Sequence, residues 1–400
     1  MHGDLLDKAR AAERRVAGYL PGAIPGMTVI DDVTGACEVV INGRPTLMFG
    51  SNNYLGLTLH PEVIDAATAA LRRFGAGTTG SRTANGTLGI HEELEREFAD
   101  WFGKQHAIIF STGYQANLSL IGGFCGAGDV ILIDGDSHAS IYDATRQTPA
   151  QVIGFRHNSP ESLRKKLERL PRAARNKLVV VEGLYSIRGD VAPLRDITDV
   201  CREYGAYLMV DEAHSLGTYG ANGLGCAEAQ GVLDRVDFIV GTFSKSLAGI
   251  GGVCVSDHRE LRTLHFLARA YVFTASGSPS NIASVRAAVR LVRERPELRD
   301  QLWANVKRLR RGLQQQGFAI GETESPIVPI LTGDEERTIR TWQRLLDEGL
   351  YVNLIVPPGC PKDDCVLRAS CSAAHTPEHV QQALDIFARV GIERGATVAS

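Results

Sequence analysis

The sequence predicts an α/β protein with a mostly parallel sheet in a large domain and a smaller α+β domain at the C-terminal end. The prediction rests on short apolar runs in the middle of the chain, on the helical stretches between them, and on a change of pattern after about residue 280. The runs are continuous in Val, Ile and Leu rather than alternating with polar residues. This is expected for strands that are buried on both faces of a parallel sheet.

The predicted strands of the large domain share this continuous apolar character. They are HAIIFST (106–112), DVILID (129–134), KLVVVEG (177–183), AYLMVDEAH (206–214), VDFIVGT (236–242) and GGVCVS (251–256). Between two of them, NSPESLRKKLERLP (158–171) carries the signals of a helix N-terminus: Ser159 as N-cap, Pro160 at the first helical position and Glu161 in the first turn. Strands and helices that alternate in this way predict helices on both faces of the sheet.

The two ends of the chain are organised differently. The first fifty residues predict a helix and a hairpin-like arm, in which CEVVINGRPTLMF (37–49) turns at Asn42-Gly43. After a long helical region at roughly 281–316, strand-like stretches lie between further helices, which is typical of a small α+β domain. We therefore predict an N-terminal arm at 1–50, a large domain at 51–280 and a small domain at 281–400.

Composition and charge exclude several classes of protein. The 400 residues have a net charge of −3 and no basic segment suited to nucleic acid or an anionic membrane. The N-terminus lacks the pattern of a secretory signal, and no apolar run is long enough for a membrane span. The eight cysteines include no C-x-x-C pair, and Cys360, Cys365 and Cys371 lack the spacing of a zinc site, so we predict no metal site and a cytoplasmic location.

A single lysine, Lys245, lies between Ser244 and Ser246 just after a predicted buried strand. A nucleotide-binding P-loop matches poorly, because that motif requires a glycine directly before the lysine. A solvated surface lysine is the common alternative. A third interpretation is a lysine that forms a Schiff base with an aldehyde cofactor whose phosphate is held nearby. Thr242 and Ser244 supply hydroxyls, and STGYQANL (111–118) predicts a strand-to-helix turn that directs N–H groups at an anion.

A second pair of residues supports the cofactor interpretation of Lys245. A pyridoxal ring needs an acid beside its ring nitrogen in order to accept electrons. Asp211 lies at the C-terminal end of a predicted strand, where ligands bind in α/β sheets, and His214 follows three residues later. Taken alone, Asp211 is better explained as a helix N-cap and His214 as a structural histidine. Together, upstream of Lys245, they favour a pyridoxal phosphate site.

Four stretches identify a family. DSHAS (136–140), EGLYSIRGDVAPL (182–194), VDEAHSLG (210–217) and GTFSKSLAGIGG (241–252) occur in the order and spacing of the α-oxoamine synthases. The chain resembles this family over nearly its whole length, from MFGSNNYLGL (48–57) to LRASCSAAHT (367–376). The resemblance implies an aminotransferase-like fold of type I, pyridoxal 5'-phosphate as cofactor, and a homodimer whose active sites lie at the subunit interface.

The resemblance also implies roles for individual residues. Lys245 would hold the cofactor and then act as the general base, and His138 would lie on the ring face and orient the substrate carboxylate. Asp211 would pair with the ring nitrogen, and His214 would contact the ring hydroxyl. The other cofactor contacts would come from Gly113, Tyr114, Ser186, Thr242, Ser244 and, toward the phosphate of the neighbouring subunit, Thr274.

Four further residues are implied as substrate ligands. Arg368 matches the arginine that receives the α-carboxylate of the amino acid, a planar anion suited to a guanidinium group. Asn53 belongs to the segment that closes over the site. Ser81 and Arg82, in the Gly-rich and hydroxyl-rich stretch 77–87, would lie near the acyl-CoA.

The implied reaction is a decarboxylating condensation of an amino acid with an acyl thioester that releases CoA and CO₂. The stretches GSRTANGT, FRHNS and VFTAS are most similar to the bacterial members that join L-serine to palmitoyl-CoA and form 3-ketodihydrosphingosine. Val356 is a departure, since some relatives have an arginine before the paired prolines. The alternatives within the family are the 8-amino-7-oxononanoate synthases, which use L-alanine and a pimeloyl thioester, and another α-oxoamine synthase. An aminotransferase or aldolase of fold type I would share Lys245 and Asp211 but is not expected to have the DSHAS stretch together with FSKS. A non-catalytic synthase subunit is a further alternative, and Lys245 is evidence against it.

Overall fold

The structure is a computed structural model that describes residues 4–17, 27–171 and 176–391. The chain divides into two units. The larger unit comprises Asn52–Trp303, and the smaller combines the described residues up to Ser51 with those from Ala304 onward. The predicted domain boundaries at residues 50 and 280 stay a prediction. Across the described residues, no helix combines the length and the apolar character that a membrane span requires.

The helices and strands of the described residues are numbered here in chain order. The helices are α1 (Asp7–Ala17), α2 (Pro61–Phe74), α3 (Gly89–Phe102), α4 (Gly113–Phe124), α5 (Ala139–Thr145), α6 (Pro160–Glu168), α7 (Leu194–Tyr204), α8 (Cys226–Ala229), α9 (Leu264–Leu267), α10 (Arg269–Val272), α11 (Pro279–Glu294), α12 (Glu297–Gln315), α13 (Glu335–Asp347) and α14 (Pro377–Val390). The strands are β1 (Asp32–Gly35), β2 (Glu38–Ile41), β3 (Arg44–Met48), β4 (His106–Phe110), β5 (Val130–Asp134), β6 (Gln151–Phe155), β7 (Lys177–Glu182), β8 (Tyr207–Asp211), β9 (Phe238–Thr242), β10 (Gly252–Ser256), β11 (Ile327–Gly333), β12 (Leu350–Tyr351), β13 (Asn353–Ile355) and β14 (Cys365–Ser370).

The larger unit is built on a seven-stranded mixed sheet with the order β4-β10-β9-β8-β7-β5-β6. Strands β5 to β9 run parallel, and β10 is antiparallel to both of its neighbours. Every residue of β5, β9 and β10 is buried, as expected when both faces of a sheet are covered. The predicted α/β class and mostly parallel sheet are confirmed, and all the predicted strands lie in this sheet.

One strand of this sheet, β6, was not predicted. It lies at the edge of the sheet beside β5, and Gln151, Val152 and Gly154 are exposed. Because β6 is partly solvated, its sequence lacks the continuous apolar run by which the other strands of this sheet are identified.

The long helical region predicted at 281–316 is in fact two helices. α11 ends at Glu294 and α12 begins at Glu297, with Pro296 between them. Proline has no amide hydrogen and keeps the preceding residue out of the helical conformation, so a helix does not continue through this position. Within the larger unit, α11 packs against α2 and α3.

Two local predictions are confirmed by the backbone and its hydrogen bonds. The hydroxyl of Ser159 accepts a hydrogen bond from the amide of Ser162 at 3.2 Å, so Ser159 caps α6 and Pro160 is its first residue. The hairpin of the smaller unit turns at Asn42 and Gly43, whose φ angles are 51° and 71°. A two-residue turn with positive φ at both central positions is the type that suits the twist of the flanking strands β2 and β3.

The smaller unit contains two sheets. Its four-stranded sheet has the order β1-β2-β3-β12, in which β12 is parallel to β3 and the other pairs are antiparallel. Its three-stranded sheet has the order β11-β14-β13 and is antiparallel throughout. The predicted α+β character of this part of the chain is therefore confirmed.

A buried histidine, His375, joins segments of the smaller unit that lie far apart in the chain. Its ring stacks on Phe49 with the ring centroids 3.8 Å apart. Its Nδ1 accepts a hydrogen bond from the amide of Ser372 at 2.9 Å, and its Nε2 lies 3.1 Å from the carbonyl oxygen of Met48. A neutral ring with the proton on Nε2 satisfies both contacts. Burial, only partly opposed by the Met48 carbonyl, lowers the pKa of His375 to about 4.

We predict that His375 makes the fold sensitive to acid. Its pKa is 6.5 when unfolded and about 4 when folded. Between these values the unfolded state binds more protons, so the free energy of unfolding decreases as the pH is lowered from 6.5 toward 4, by up to roughly 3 kcal/mol. Urea unfolding of the wild type and of His375→Gln across this range tests the prediction. The variant should be less stable near neutral pH but lose less stability in acid, and equal losses in the two proteins would contradict it.

Candidate active site

A cavity of about 270 Å³ opens in the larger unit at the C-terminal ends of the parallel strands. It is lined from β7, β8 and β9, from the loop after β9, and from the beginnings of α4 and α5. Eight of the predicted site residues are among its lining residues: Gly113, Tyr114, His138, Asp211, His214, Thr242, Ser244 and Lys245. Residues separated by up to 132 positions in the sequence are thus brought to one site because parallel strands end at the same edge.

Asp211 ends β8 and is 5% exposed. Its carboxylate accepts a hydrogen bond from the side-chain amide of Asn117 at 2.8 Å and another from the backbone amide of Ala213 at 2.9 Å. The same Asn117 nitrogen lies 2.8 Å from the hydroxyl of Ser140. Asn117 lines the cavity but was not predicted as a site residue, because an asparagine inside a helix carries no local signal of its long-range partner.

His214 contacts a second residue that was not predicted. Its Nδ1 lies 2.8 Å from the hydroxyl of Tyr54, which is fully buried. The same hydroxyl lies 3.2 Å from Asn52 Oδ1. Tyr54 therefore orients the His214 ring from a segment 160 positions earlier in the chain.

The beginning of α4 forms the polar end of the cavity. The hydroxyl of the N-cap residue Thr112 accepts a hydrogen bond from the amide of Gln115 at 3.1 Å, which leaves the other amides of the first turn directed outward. A Cβ atom on Gly113 would lie 2.9 Å from Thr242, so only glycine allows the helix to approach this strand. The Thr242 and Ser244 hydroxyls are 2.9 Å apart. Backbone N–H groups, a helix dipole and two hydroxyls form a site suited to a phosphate.

Tyr114 and His138 lie on the open side of the cavity. The Tyr114 ring is 39% exposed and meets the His138 ring edge-on, with centroids 6.2 Å apart. Its hydroxyl donates a short hydrogen bond to Asp143, which raises the pKa of Tyr114. The Nδ1 of His138 lies 2.7 Å from the hydroxyl of Ser140. Desolvation by the cavity walls lowers the pKa of His138, the nearby Asp211 opposes this change, and Lys245 adds to it.

Glu182 is a buried carboxyl group at the base of the same cavity. It ends β7, directly opposite Asp211 at the end of β8, and is 4% exposed. Its Oε1 accepts a hydrogen bond from the backbone amide of His138 at 2.5 Å. Burial and the neighbouring charge of Asp211 raise the pKa of Glu182 well above its usual value, although the His138 amide and Lys245 act in the opposite direction. Glu182 therefore keeps its proton to a higher pH than an exposed carboxyl group does.

The remaining predicted residues lie outside the lining of this cavity. Thr274 accepts a hydrogen bond from Gln115 at 3.1 Å, and Ser186 lies in the turn after β7. The side chain of Asn53 is buried and donates to Thr58 at 2.8 Å, and the Ser81 hydroxyl lies 3.1 Å from that of Thr83. The roles predicted for Thr274, Ser186, Asn53 and Ser81 stay predictions.

The two predicted substrate arginines have different surroundings. Arg82 forms a largely buried ion pair with Glu95, with Nη1 2.9 Å from Oε1, and its Nε donates to Thr87 at 3.0 Å. These contacts anchor the stretch 77–87 on α3. Arg368 lies in β14 of the smaller unit, is 4% exposed, and donates to the hydroxyl of Ser370 at 3.1 Å.

Comparisons with known proteins agree with these features. The aminotransferase class I and II family model matches residues 44–387. A serine palmitoyltransferase of Caulobacter vibrioides (strain NA1000 / CB15N) is 51% identical over 94% of this chain and 93% of that protein. A serine palmitoyltransferase of Sphingomonas paucimobilis is 45% identical over 92% of this chain and 88% of that protein. A solved structure of serine palmitoyltransferase with a PLP internal aldimine matches with a TM-score of 0.95 and 44% identity, covering 97% of this chain and 98% of that one.

The raised pKa of Glu182 predicts a specific effect of its amide isostere. As pH rises above the usual pKa of 4.5, the unfolded carboxyl group ionises before the folded one, so Glu182 makes the wild type less stable as pH rises. Glu182→Gln removes this titration and keeps an oxygen that accepts from His138. Its stability relative to the wild type should therefore increase with pH, as measured by urea unfolding in mildly acidic and mildly basic buffer.

Glu182→Ala is the matched control for this prediction. It removes the acceptor of the His138 amide as well as the carboxyl group, so it should be less stable than Glu182→Gln by about 1–3 kcal/mol at every pH. A stability difference between Glu182→Gln and the wild type that does not change with pH would show that folding does not raise the pKa of Glu182.

Proposed function

Because the chain belongs to the aminotransferase class I and II family, we propose that it is a pyridoxal-phosphate-dependent acyltransferase that joins L-serine to a long-chain acyl-CoA. The products of this condensation are 3-ketodihydrosphingosine, CoA and CO₂. The aminotransferase-like fold of type I and the resemblance to the α-oxoamine synthases are both confirmed by the comparisons. The observation that carries the proposal is that Lys245, Asp211 and the N-terminus of α4 meet at one cavity.

The cavity residues fit pyridoxal phosphate. The phosphate would be held by the first turn of α4, where Gly113 permits close approach, and by the hydroxyls of Thr242 and Ser244. Asp211 would pair with the ring nitrogen, and His214 would contact the ring hydroxyl. Lys245 supplies the primary amine that holds the aldehyde. When bound, the cofactor provides an electron sink for the negative charge that develops at the Cα atom of the amino acid.

The residues of the chain would move and hold protons around this reaction. The Nζ of Lys245 would accept the proton from the amino-acid Cα atom, as a general base. Asp211 would keep the proton on the ring nitrogen, and Asn117 and the Ala213 amide hold its carboxylate in place for this task. His138, with its lowered pKa, is a neutral ring near neutral pH and can orient a substrate carboxylate without adding a charge.

Residues outside the cavity lining, and a second copy of the chain, would complete the site. We propose that Arg368 binds the α-carboxylate of serine, that Asn53 and Ser186 contact the substrate and cofactor, and that Ser81 and Arg82 contribute to the acyl-CoA site. We also propose a homodimer in which Thr274 contacts the phosphate held by a second copy of the chain. A cytoplasmic location stays a prediction.

The direct test of the proposed reaction is CoA release from palmitoyl-CoA by the purified holoenzyme. Release should occur with L-serine and not with L-alanine or glycine, because the site is proposed to accept the serine side chain. Release with L-alanine and a pimeloyl thioester but not with L-serine would instead indicate an 8-amino-7-oxononanoate synthase. A protein that binds pyridoxal phosphate but releases no CoA from either thioester would indicate a non-catalytic subunit.

Substitution of Lys245 tests the assignment of the general base. Lys245→Ala should lower kcat by about 10²–10⁴-fold, the usual contribution of a positioned acid or base, while the protein remains folded. Lys165→Ala is the matched control, because Lys165 is exposed on α6 and pairs with Glu161 at 2.5 Å. Borohydride treatment followed by mass spectrometry should attach the cofactor to the wild type and to Lys165→Ala, but not to Lys245→Ala. Retained turnover in Lys245→Ala would refute the assignment.

Substitution of Arg368 tests the proposed carboxylate ligand. Arg368→Ala should raise the KM for L-serine by roughly 10–100-fold, the equivalent of one charged hydrogen-bonded contact, and leave the KM for palmitoyl-CoA unchanged. Arg368→Lys is the control, since it keeps the charge but loses the two-pronged geometry and should lie between Ala and wild type. An unchanged KM for L-serine in Arg368→Ala would remove this residue from the substrate site.

A further inference from the structure

His157 lies between two carboxylates outside the cavity lining. Its Nδ1 lies 2.7 Å from Oδ1 of Asp134, which is fully buried, and its Nε2 lies 2.5 Å from Oδ2 of Asp190. A carboxylate only accepts hydrogen bonds, so each ring nitrogen must carry a proton to make both contacts. His157 is therefore an imidazolium cation with two charge-assisted hydrogen bonds.

The surroundings of His157 favour the cation from several sides. Asp136 lies 3.9 Å from Nδ1, and the Tyr185 ring meets the imidazole edge-on at 4.5 Å between centroids. Partial burial lowers the pKa of His157, but the hydrogen bonds and charges of Asp134 and Asp190 outweigh this effect and raise it to about 10. The ring thus keeps its charge well above neutral pH.

The two carboxylates belong to the segments that carry predicted site residues. Asp134 ends β5 and begins the segment 134–138, which leads to His138. Asp190 ends the turn 185–190, which contains Ser186 and closes with a hydrogen bond from the Tyr185 amide to the Asp190 carbonyl at 2.9 Å. His157 follows β6, the edge strand next to β5, and so connects these two segments from a third.

The neighbouring residue Asn158 strengthens the same connection. Its backbone amide donates to Oδ2 of Asp134 at 2.8 Å, and its side-chain amide donates to Oδ2 of Asp190 at 2.8 Å. Asn158 has a φ of 50°, a left-handed conformation that asparagine tolerates better than most residues. His157 and Asn158 therefore place four hydrogen bonds on the same two carboxylates.

We propose that His157 is a positioning residue of the active site: its doubly protonated ring joins the segment 134–138 to the turn 185–190 and thereby fixes His138 in the cavity. The role of His138 in the reaction rests on the proposed function, but the position of His138 in the fold is independent of it. The backbone amide of His138 donates to Glu182 at the end of β7, which holds one end of the segment 134–138. The His157 contacts hold the same segment at its other end, on Asp134.

The first test uses NMR on protein labelled with ¹⁵N-histidine. It measures the protonation of the His157 ring and the effect of substituting His157 on the His138 resonances. Both ring nitrogens of His157 should be protonated from neutral pH to about pH 9, since the ring titrates near 10. Loss of the signal in His157→Gln assigns it. In the same variant the His138 resonances should shift. A neutral His157 ring near neutral pH, or unchanged His138 resonances, overturns the proposal whatever the enzyme catalyses.

The second test is a kinetic comparison of substituted holoenzymes. His157→Gln should lower kcat for CoA release with L-serine, by up to about 10²-fold if His138 is displaced, and leave the KM for palmitoyl-CoA unchanged. The matched control is His258→Gln, because His258 pairs with Asp237 at 2.9 Å in the same unit without lining the cavity. His258→Gln should change neither kcat nor the His138 resonances. An unchanged kcat in His157→Gln overturns the positioning role.

A third variant keeps the proposal testable if His157→Gln does not fold. Asp190→Asn leaves the ring in place and removes one of its two carboxylates, so it should lower kcat and shift His138 in the same direction. Where both single variants fold, the activation free energy of the double variant should rise by less than the sum of the two single increases, because both substitutions break the same connection. Additive losses overturn the proposal. A wild type that releases no CoA with L-serine refutes the proposed function alone, since the NMR test of His157 and His138 still applies.

Discussion

The hydrogen bond between Asn117 and Asp211 is the contact on which the geometry of the candidate site depends. Asp211 ends β8, and Asn117 lies one helical turn after Gly113 at the start of α4. The contact joins a buried carboxylate to the helix whose N-terminus suits a phosphate, so the acid and the anion site keep a constant separation. A ligand with a basic ring nitrogen at one end and a phosphate at the other matches this arrangement. The buried Asp211 is stable only because donors satisfy it, which gives Asn117 a role in both folding and function.

Burial and neighbouring charges together set the pKa values of the groups around the cavity. Two carboxyl groups, Asp211 and Glu182, lie opposite each other at the ends of adjacent strands. Burial and the Asp211 charge raise the pKa of Glu182 well above its usual value. Desolvation lowers the pKa of His138 against the opposing charge of Asp211, and the charge of Lys245 adds to this decrease. At the edge of the site, His157 is by contrast a cation, because two carboxylates face it.

Much of the fold was predictable because the interior strands have an unambiguous pattern. The continuous apolar runs identified each interior strand, and the Asn42-Gly43 turn identified the hairpin of the smaller unit. The edge strand β6 was missed, since a partly solvated strand has no such run. A long helical region was predicted after residue 280, and the structure shows that it consists of two helices on either side of Pro296.

The sequence by itself determined the family, the cofactor chemistry and eight of the residues that line the cavity, because Lys245, Asp211 and His138 occur in motifs with a recognisable order. Only the tertiary structure identified the contacts of Asn117 with Asp211, of Tyr54 with His214, of Glu182 with His138 and of His157 with Asp134. These four residues lie in recognisable stretches of the sequence, but the stretches do not indicate their partners, which lie tens to hundreds of positions away. The pKa values were also decided by the tertiary structure alone. They depend on burial and on the charges that the fold brings within a few ångströms, and neither quantity is encoded in a motif.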